Sequence, residues 1–261
     1  MPYAYNCTRS DMHYRHDQFS QGLAAAGFTV APARMVPVRV RPGDVMLIWN
    51  RYGQYHQNAV AFEAAGGRVI VAENGYIGRD ELGGQRYALA LHSHNGKGVW
   101  PTGDGSRWAA LGVELKPWRT RGGHILVAPN RAFGEPGLAM PSEWPLQVRQ
   151  RLAKLTDREI RVRPHPGNLP ARKPLSDDLQ GAYAVVIWAS SAGVHALIAG
   201  VPVICCSPWW ICKQAAFGLE DIGSLDGNLY DDRLPVFERL AWAQWTIAEI
   251  ASGEPFKRLL S

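Results

Sequence analysis

The stretch from Glu159 to Pro208, EIRVRPHPGNLPARKPLSDDLQGAYAVVIWASSAGVHALIAGVPVICCSP, constrains the fold of this chain more than any other. It reads as a strand ending in Arg163-Pro164-His165-Pro166, a loop, and a second, apolar strand Ala184-Val185-Val186-Ile187-Trp188. A helix opens at Ser190-Ser191 and leads to a short strand at Val201-Pro202-Val203-Ile204. Strand, loop, strand, helix, strand is the grammar of an open α/β sheet, and the polar residues fall where strands end. Ligands of such sheets bind outside the carboxyl ends of the strands, so a functional reading starts there.

A chain of 261 residues has room for two small α/β domains of this kind with a cleft between them. The hydrophobic share of 46% is that of an ordinary globular protein and the charged share of 20% is slightly low, and neither suggests disorder. A formal charge of +5 favours an anionic partner, either a nucleotide phosphate, a nucleic acid or an anionic surface. The arginines are scattered rather than gathered into a basic tail, which is the pattern of a solvated face. Four cysteines, Cys7, Cys205, Cys206 and Cys212, lack zinc-ribbon or CxxC spacing and are expected to be reduced, partly buried thiols. No apolar leader and no membrane-spanning run is evident, so the chain is expected to be soluble and cytoplasmic.

In the first half, residues Met1 to Asn6 read as a strand, followed by a polar segment Asp11 to Asp17 containing the cluster HYRHD, and a helix from Asp17 to Ala26. Asp44 to Trp49 is a buried strand ending in Asn50-Arg51, His56 to Ala65 a helix, and Arg68 to Ala72 the next strand, ending in Glu73-Asn74-Gly75. This is a βαβ unit whose strand ends share one rim. Tyr87 to Leu91 reads as a further strand running into His92-Ser93-His94; two histidines at that spacing share a side if the strand continues, which would suit a metal, but no third ligand stands nearby.

The strand His124 to Ala128 opens a second half, with the boundary close to Trp118. It is followed by Asn130-Arg131 and a glycine-bearing loop through Gly134, then a helix from Trp144 to Leu155. A helix Lys213 to Phe217, an Asp/Gly-rich turn from Asp226 to Asp232 and one long helix Pro235 to Ile250 complete the chain, with Trp242 and Trp245 read as packing residues. If the strands of this half are parallel, three loops converge: Asn130 to Gly137, Arg163 to Asn168, and Ser190 to His195. Helix-start amides, hydroxyls and arginines together suit a pyrophosphate. His165, held between two prolines, can donate to a phosphate as negative charge develops on it. The competing reading makes Ser190-Ser191 an N-cap and His165 a satisfied loop residue. No GxxxxGK[ST], GxGxxG or nucleophile elbow occurs, and paired carboxylates are not conspicuous, which disfavours ATPase, dinucleotide, acyl-transfer and glycosidase chemistry.

The run RPHPGN followed by DLQGAYAVVIWASSAGVHALIAGVPVI resembles the donor-side signature of GT-B glycosyltransferases. It is nearest to the capsular polysaccharide and Kdo-transferase-like group, with its His-Pro and Ser-Ser motifs. The resemblance covers about residues 124 to 208. It implies a GT-B-like α/β fold: two Rossmann-like domains facing across a cleft, with the C-terminal helix crossing back. The expected domains are an acceptor-side domain 1–118, a nucleotide-sugar-binding domain 119–234, and a helix 235–261 packing back on the first domain. Donor contacts would come from Asn130, Arg131, Gly134, Arg163, His165, Pro166, Ser190, Ser191, Gly193 and His195. His195 stands where many such proteins carry a glutamate, which leaves UDP- and CMP-sugars both open as donors. The catalytic base would come from the first domain, with Glu73, His94 and Asp11 as candidates and Asn50, Arg51 and Asn74 orienting the acceptor. No DxD motif is present, so no cofactor other than the nucleotide-sugar substrate, and no metal, is expected.

The resemblance and the compact size point to transfer onto an acceptor hydroxyl, with a hydroxymethylated pyrimidine in double-stranded DNA as the first acceptor considered, as in compact bacteriophage transferases. Arg51, Arg79, Lys97 and Arg107 are available for a DNA track. The alternatives are a saccharide or small-molecule acceptor, a nucleotide-sugar epimerase, and a non-catalytic nucleotide- or nucleic-acid-binding module. A monomer or weak dimer is expected.

Overall fold

The computed structural model describes residues 1–11, 14–32, 39–80, 83–167, 173–225, 229 and 233–261. Met12 and His13 of the polar segment, Asn168 of RPHPGN, and the Asp226 to Asp232 turn apart from Leu229 lie outside the described residues. The chain divides into two compact units, Met1–Asp104 with Arg239–Ser261, and Gly105–Glu238. Both are α/β units built on an open sheet, the pair of Rossmann-like units of a GT-B-like fold.

The first unit begins with β1 (Tyr3–Asn6), α1 (His16–Ala25), β2 (Thr29–Pro32), β3 (Val45–Trp49), α2 (Gly53–Ala64), β4 (Arg68–Arg79) and β5 (Gln85–Leu91). The second holds α3 (Ser106–Ala110), β6 (His124–Ala128), α4 (Trp144–Leu152), β7 (Glu159–Val162), α5 (Leu175–Leu179), β8 (Ala182–Ile187), α6 (Ser191–Ile198) and β9 (Val203–Cys205). Within α7 (Arg233–Ala241) the chain passes back to the first unit, which it completes with β10 (Gln244–Trp245), α8 (Ile247–Ser252) and α9 (Glu254–Leu260).

The first sheet has the order β10-β5-β4-β3-β1-β2, with β1 to β4 parallel. The chain leaves β1 through α1 to β2 on one side and returns to β3 on the other, so the topological switch point lies between β1 and β3. Met46 and Ile48 of β3, Val69 and Val71 of β4, and Ala59 and Phe62 of α2 form a core on one face, as alternation along a strand requires. The second sheet, β7-β6-β8-β9, is wholly parallel, and its switch point lies between β6 and β8. Its two central strands are buried at every residue, which is why they read as unbroken apolar runs. Ile125, Val127, Tyr183, Ala184 and Val186 pack under Trp144, Val148 and Leu152 of α4.

Three elements depart from the sequence-based expectation. The strand expected over Arg68 to Ala72 continues to Arg79, because beyond Ala72, the last residue paired with β3, it is held by antiparallel β5 across a bulge between Asn74 and Arg79. Glu73 and Asn74 therefore sit inside a strand rather than at its end. The single helix expected over Pro235 to Ile250 is two helices, α7 and α8, with the strand β10 between them. Gln244 ends α7's run by pairing with Ala88 and filling the bulge: its amide oxygen accepts the N–H groups of Tyr76 (2.8 Å) and Ile77 (2.9 Å), and its amide nitrogen donates to Ile77 O (2.7 Å). Thr246 and Glu249 then form a capping box that starts α8, and Gly253, at φ 82°, separates α8 from α9. The histidines His92 and His94 do not continue β5, since His92 turns to φ 67°. Among the described residues no group of three His, Cys, Asp or Glu is placed to hold a metal, and no helix is long and apolar enough to cross a membrane. All four cysteines are free; burial pushes the thiols of Cys7 and Cys205 up to about 12.

Candidate functional site

In the second unit the loops after β6, β7 and β8 emerge at one edge, with the switch point between β6 and β8. His165 follows β7. Its Nδ1 accepts the N–H of Gly167 at 3.0 Å, so in the neutral ring the proton sits on Nε2 and is offered outward. The turn needs glycine at 167, where φ is 70°. A Cβ there would stand 3.6 Å from a terminal nitrogen of Arg131, which places the guanidinium of the β6 loop against the β7 turn. Partial desolvation, followed by the positive charge of Arg131, holds the His165 pKa below its ordinary value and so favours the neutral ring. Pro166, between His165 and Gly167, is exposed.

Asn130, two residues beyond β6, carries a buried amide oxygen with no hydrogen-bond partner among the described residues. Gly134 sits at φ 151°, with Ala139 N only 3.0 Å from where a Cβ would be, so the loop closes tightly there. The next residue, Glu135, is buried, and its carbonyl accepts from Leu138 N (3.0 Å) and Ala139 N (3.1 Å). Sequence reasoning did not single out Glu135; a buried acid in a glycine loop leaves no periodic signal.

Ser190 is the N-cap of α6, extended at φ −82° and ψ 145°, and its Oγ accepts from Ala192 N at 3.2 Å. Ser191, the first helical residue, is exposed at the positive end of the helix. Capping therefore falls to Ser190, while Ser191 stands at the exposed helix start.

Three other expected donor residues are placed elsewhere. Arg163 pairs with Asp178 and donates to the carbonyl of Lys173 at 2.9 Å, so its guanidinium is turned to the segment that opens α5. Gly193 is buried under α6, where a Cβ would approach Ile187 Cδ1 to 2.6 Å and Trp210 to 2.7 Å; it permits helix–sheet packing. His195 lines a separate pocket of about 670 Å³ with Arg119, Leu175, Leu179, Gln180 and Ala199, whose walls desolvate the ring and lower its pKa.

In the first unit, the loop after β5 folds back beside α2. Arg51 forms a two-pronged ion pair with Glu63 (2.7 and 3.1 Å) and donates to His92 O, while His92 Nδ1 meets Glu63 at 2.9 Å. This brings the loop to Glu73, whose carboxylate accepts from Tyr76 OH and from Asn95 N at 3.3 Å. Glu73 and the loop carrying His94 are therefore neighbours. His94 itself is buried, with Nδ1 unpartnered among the described residues. Arg51 is buried and committed to Glu63, so it serves this framework. Asp11 lies apart from them, in a pocket of about 930 Å³ at the β1/β3 switch point, with Asn6, Thr8, Arg9, His16 and Tyr55.

No family model and no curated protein matches this sequence. Among solved structures the chain is similar to a β-Kdo 2,7 transferase, KpsC of Thermosulfurimonas dismutans, at 14% identity and a TM-score of 0.58, over 97% of this chain and 98% of that one. It is also similar to the β-Kdo 2,4 transferase of the same organism's KpsC, at 14% identity and a TM-score of 0.53, over 93% and 90% of the two chains. At this identity the likeness is one of fold, and it runs through both units.

Proposed function

We propose that the protein is a glycosyltransferase that moves a sugar from a nucleotide-sugar to a saccharide hydroxyl. The observation that carries this reading is the strand-end edge of the second unit. There a tautomer-fixed His165, the Arg131 cation, the α6 N-terminus and the unmet amide oxygen of Asn130 are displayed by three adjacent loops. Nε2–H, guanidinium and helix-start amides answer phosphate oxygens, and the amide oxygen answers a donor N–H or O–H. As the bond from the sugar to the phosphate breaks, the negative charge left on the phosphate is met by donors already in place. Both named structural neighbours transfer Kdo, which supports a saccharide acceptor and puts a CMP-linked acidic sugar beside UDP-sugars in the donor set. The charge of the phosphates is assigned to Arg131 and the helix end.

The test is a screen of UDP- and CMP-linked sugars for thermal stabilisation, followed by transfer assays with methyl glycosides and, separately, hydroxymethylated DNA. One class of nucleotide-sugar should raise the melting temperature and be consumed with a saccharide acceptor. Consumption without acceptor and with an epimeric product would indicate an epimerase, and binding without turnover a binding module. Transfer to DNA alone would replace the saccharide assignment. Absence of any binding would overturn the reading.

A further inference from the structure

The pocket at the β1/β3 switch point holds a histidine whose protonation geometry is set by the fold. His16 opens α1, and its Nδ1 lies 3.0 Å from the carbonyl of Thr8 and 3.1 Å from that residue's hydroxyl. A carbonyl only accepts, so Nδ1 carries the proton. The Thr8 hydroxyl in turn donates to Asn6 Oδ1 at 2.7 Å, consistent with its accepting from the ring. In the neutral imidazole the lone pair is then on Nε2, which has no protein partner among the described residues.

Two features hold this arrangement. Asn6, almost fully buried at the end of β1, is bonded at both ends of its amide. Its nitrogen donates to His16 O (3.1 Å) and Ser20 Oγ (2.9 Å), and its oxygen accepts from Thr8 N (3.1 Å) as well as the hydroxyl. Arg15, directly before His16, takes the left-handed conformation at φ 53°, which costs a non-glycine residue about 1–2 kcal/mol. Backbone strain of this kind is tolerated where the surroundings fix it, here to start α1 with His16 turned back on the β1 loop.

We propose that His16 is the proton acceptor for the acceptor hydroxyl, and that the pocket of about 930 Å³ beside it receives the polyol bearing that hydroxyl. This inference rests on the transferase reading above. The remaining polar walls suit a sugar: the Arg9 and Asp11 positions, the amides of Gln54 and Asn58, which bond each other at 2.9 Å, and Tyr55, whose OH donates to Cys7 O at 3.2 Å. In the step, the acceptor O–H proton passes to Nε2 while the oxygen's electron pair forms the new C–O bond at the anomeric carbon. The bond from that carbon to the nucleotide's phosphate oxygen breaks, its pair leaving on the phosphate, and the imidazolium returns its proton to water. Other ionisable groups face the ring. Those sharing its pocket are Arg9, Asp11 and Cys7 from the β1 loop and Tyr55 from α2, whereas Arg15, just before the helix, turns its guanidinium to the Tyr87 hydroxyl at 3.2 Å. The Cys7 and Tyr55 values are both raised, mainly by desolvation, and neither group ionises near neutrality.

The test compares wild type, His16→Asn and Asp11→Asn with the CMP- and UDP-linked sugars and methyl glycosides above. Asparagine keeps a donor for the Thr8 carbonyl but offers no base. His16→Asn should keep the thermal stabilisation by donor, lose about 10²–10⁴-fold in kcat, and lose the acid limb of the kcat profile. Asp11→Asn should retain that limb. A kcat within about threefold of wild type in His16→Asn, or an acid limb lost in Asp11→Asn and kept in His16→Asn, overturns the assignment. On the unaltered chain, ¹⁵N imidazole spectra should show His16 protonated at Nδ1, and the opposite tautomer overturns the proposal whether or not the variants fold. A wild type that turns over no nucleotide-sugar overturns the transferase reading itself, an outcome distinct from turnover that survives loss of His16.

Discussion

Replacing Arg163 by alanine separates a positioning role from a donor-binding one. The Arg163 and Asp178 side chains are only 17% and 13% exposed, and the guanidinium also reaches Lys173 O at 2.9 Å. Removing one partner of a fully buried pair costs about 3–5 kcal/mol, chiefly because the other charge is stranded. Asp178 would keep the Lys173 ammonium at 2.8 Å and some solvent, so the loss is smaller, about 1–3 kcal/mol. For a unit of this size that is a fall in melting temperature of about 4–12 °C. Burial works against the Asp178 carboxylate, yet hydrogen bonds from Lys173 and Arg163 hold its pKa below the usual value, so the charged form is what the fold has built around. Scanning calorimetry measures the stability change, and titration calorimetry with the nucleotide identified in the screen measures affinity. Affinity should stay within about threefold of wild type. A tenfold or larger loss of affinity with an unchanged melting temperature would refute the reasoning, because it would mean that the guanidinium faces the ligand.

The reverse signature is expected at His165. His165→Asn removes a neutral donor to a charged oxygen, worth about 1.5–3 kcal/mol, and should weaken nucleotide binding by about 10–150-fold with little change in stability; unchanged affinity by titration calorimetry would argue against a phosphate contact. The pH dependence of stability follows from His165 and His195, whose folded values both lie below the ordinary 6.5. Above 6.5 both rings are neutral in either state. As pH falls below 6.5 the unfolded chain takes up protons first, so stability drops toward the folded values and levels off beneath them. Melting temperatures between pH 7.5 and 5 should show this decline, shallower in His195→Ala; a flat profile would contradict the depressed values.

The second sheet was legible because its central strands are buried on both faces and break off into polar residues, so β6, β8 and the helix start at Ser190-Ser191 could be read directly. What the side chains do at those ends was less legible. Arg163 and His165 are two residues apart after one strand, yet one is turned to Asp178 and the other accepts its own turn's amide; that choice is made by α5, which lies elsewhere in the chain. Gly193 looked like part of a binding motif and is a packing requirement of Ile187 and Trp210. Toward the C-terminus the apolar stripe Phe237, Leu240, Ala241, Trp245, Ala248 matches a helix. Yet the local capping signal Thr246-x-x-Glu249 and the demand of the β4 bulge for a buried amide at Gln244 outweighed it. His16 was visible only as one polar residue in HYRHD, because its tautomer depends on Thr8 and Asn6, which precede it by a strand end.

The two sheets offer an internal comparison at their switch points. Each has an asparagine where its first strand ends, Asn6 at β1 and Asn130 just beyond β6. Asn6 is bonded through both amide atoms, and truncating it would strand Thr8 and the start of α1, so Asn6→Ala should cost about 1–3 kcal/mol in the absence of any ligand. Asn130 is the opposite case, because its oxygen is buried and has no partner among the described residues, so the fold itself bears the desolvation penalty. Removing that oxygen relieves a cost of the same order, while a ligand that would have paired it loses its partner. Asn130→Ala should therefore melt no lower than wild type and bind the nucleotide about tenfold or more weakly. If instead Asn130→Ala melts several degrees lower and binds as well as before, the amide is a structural residue satisfied within the fold, and the second unit's edge loses one of the groups assigned to the ligand.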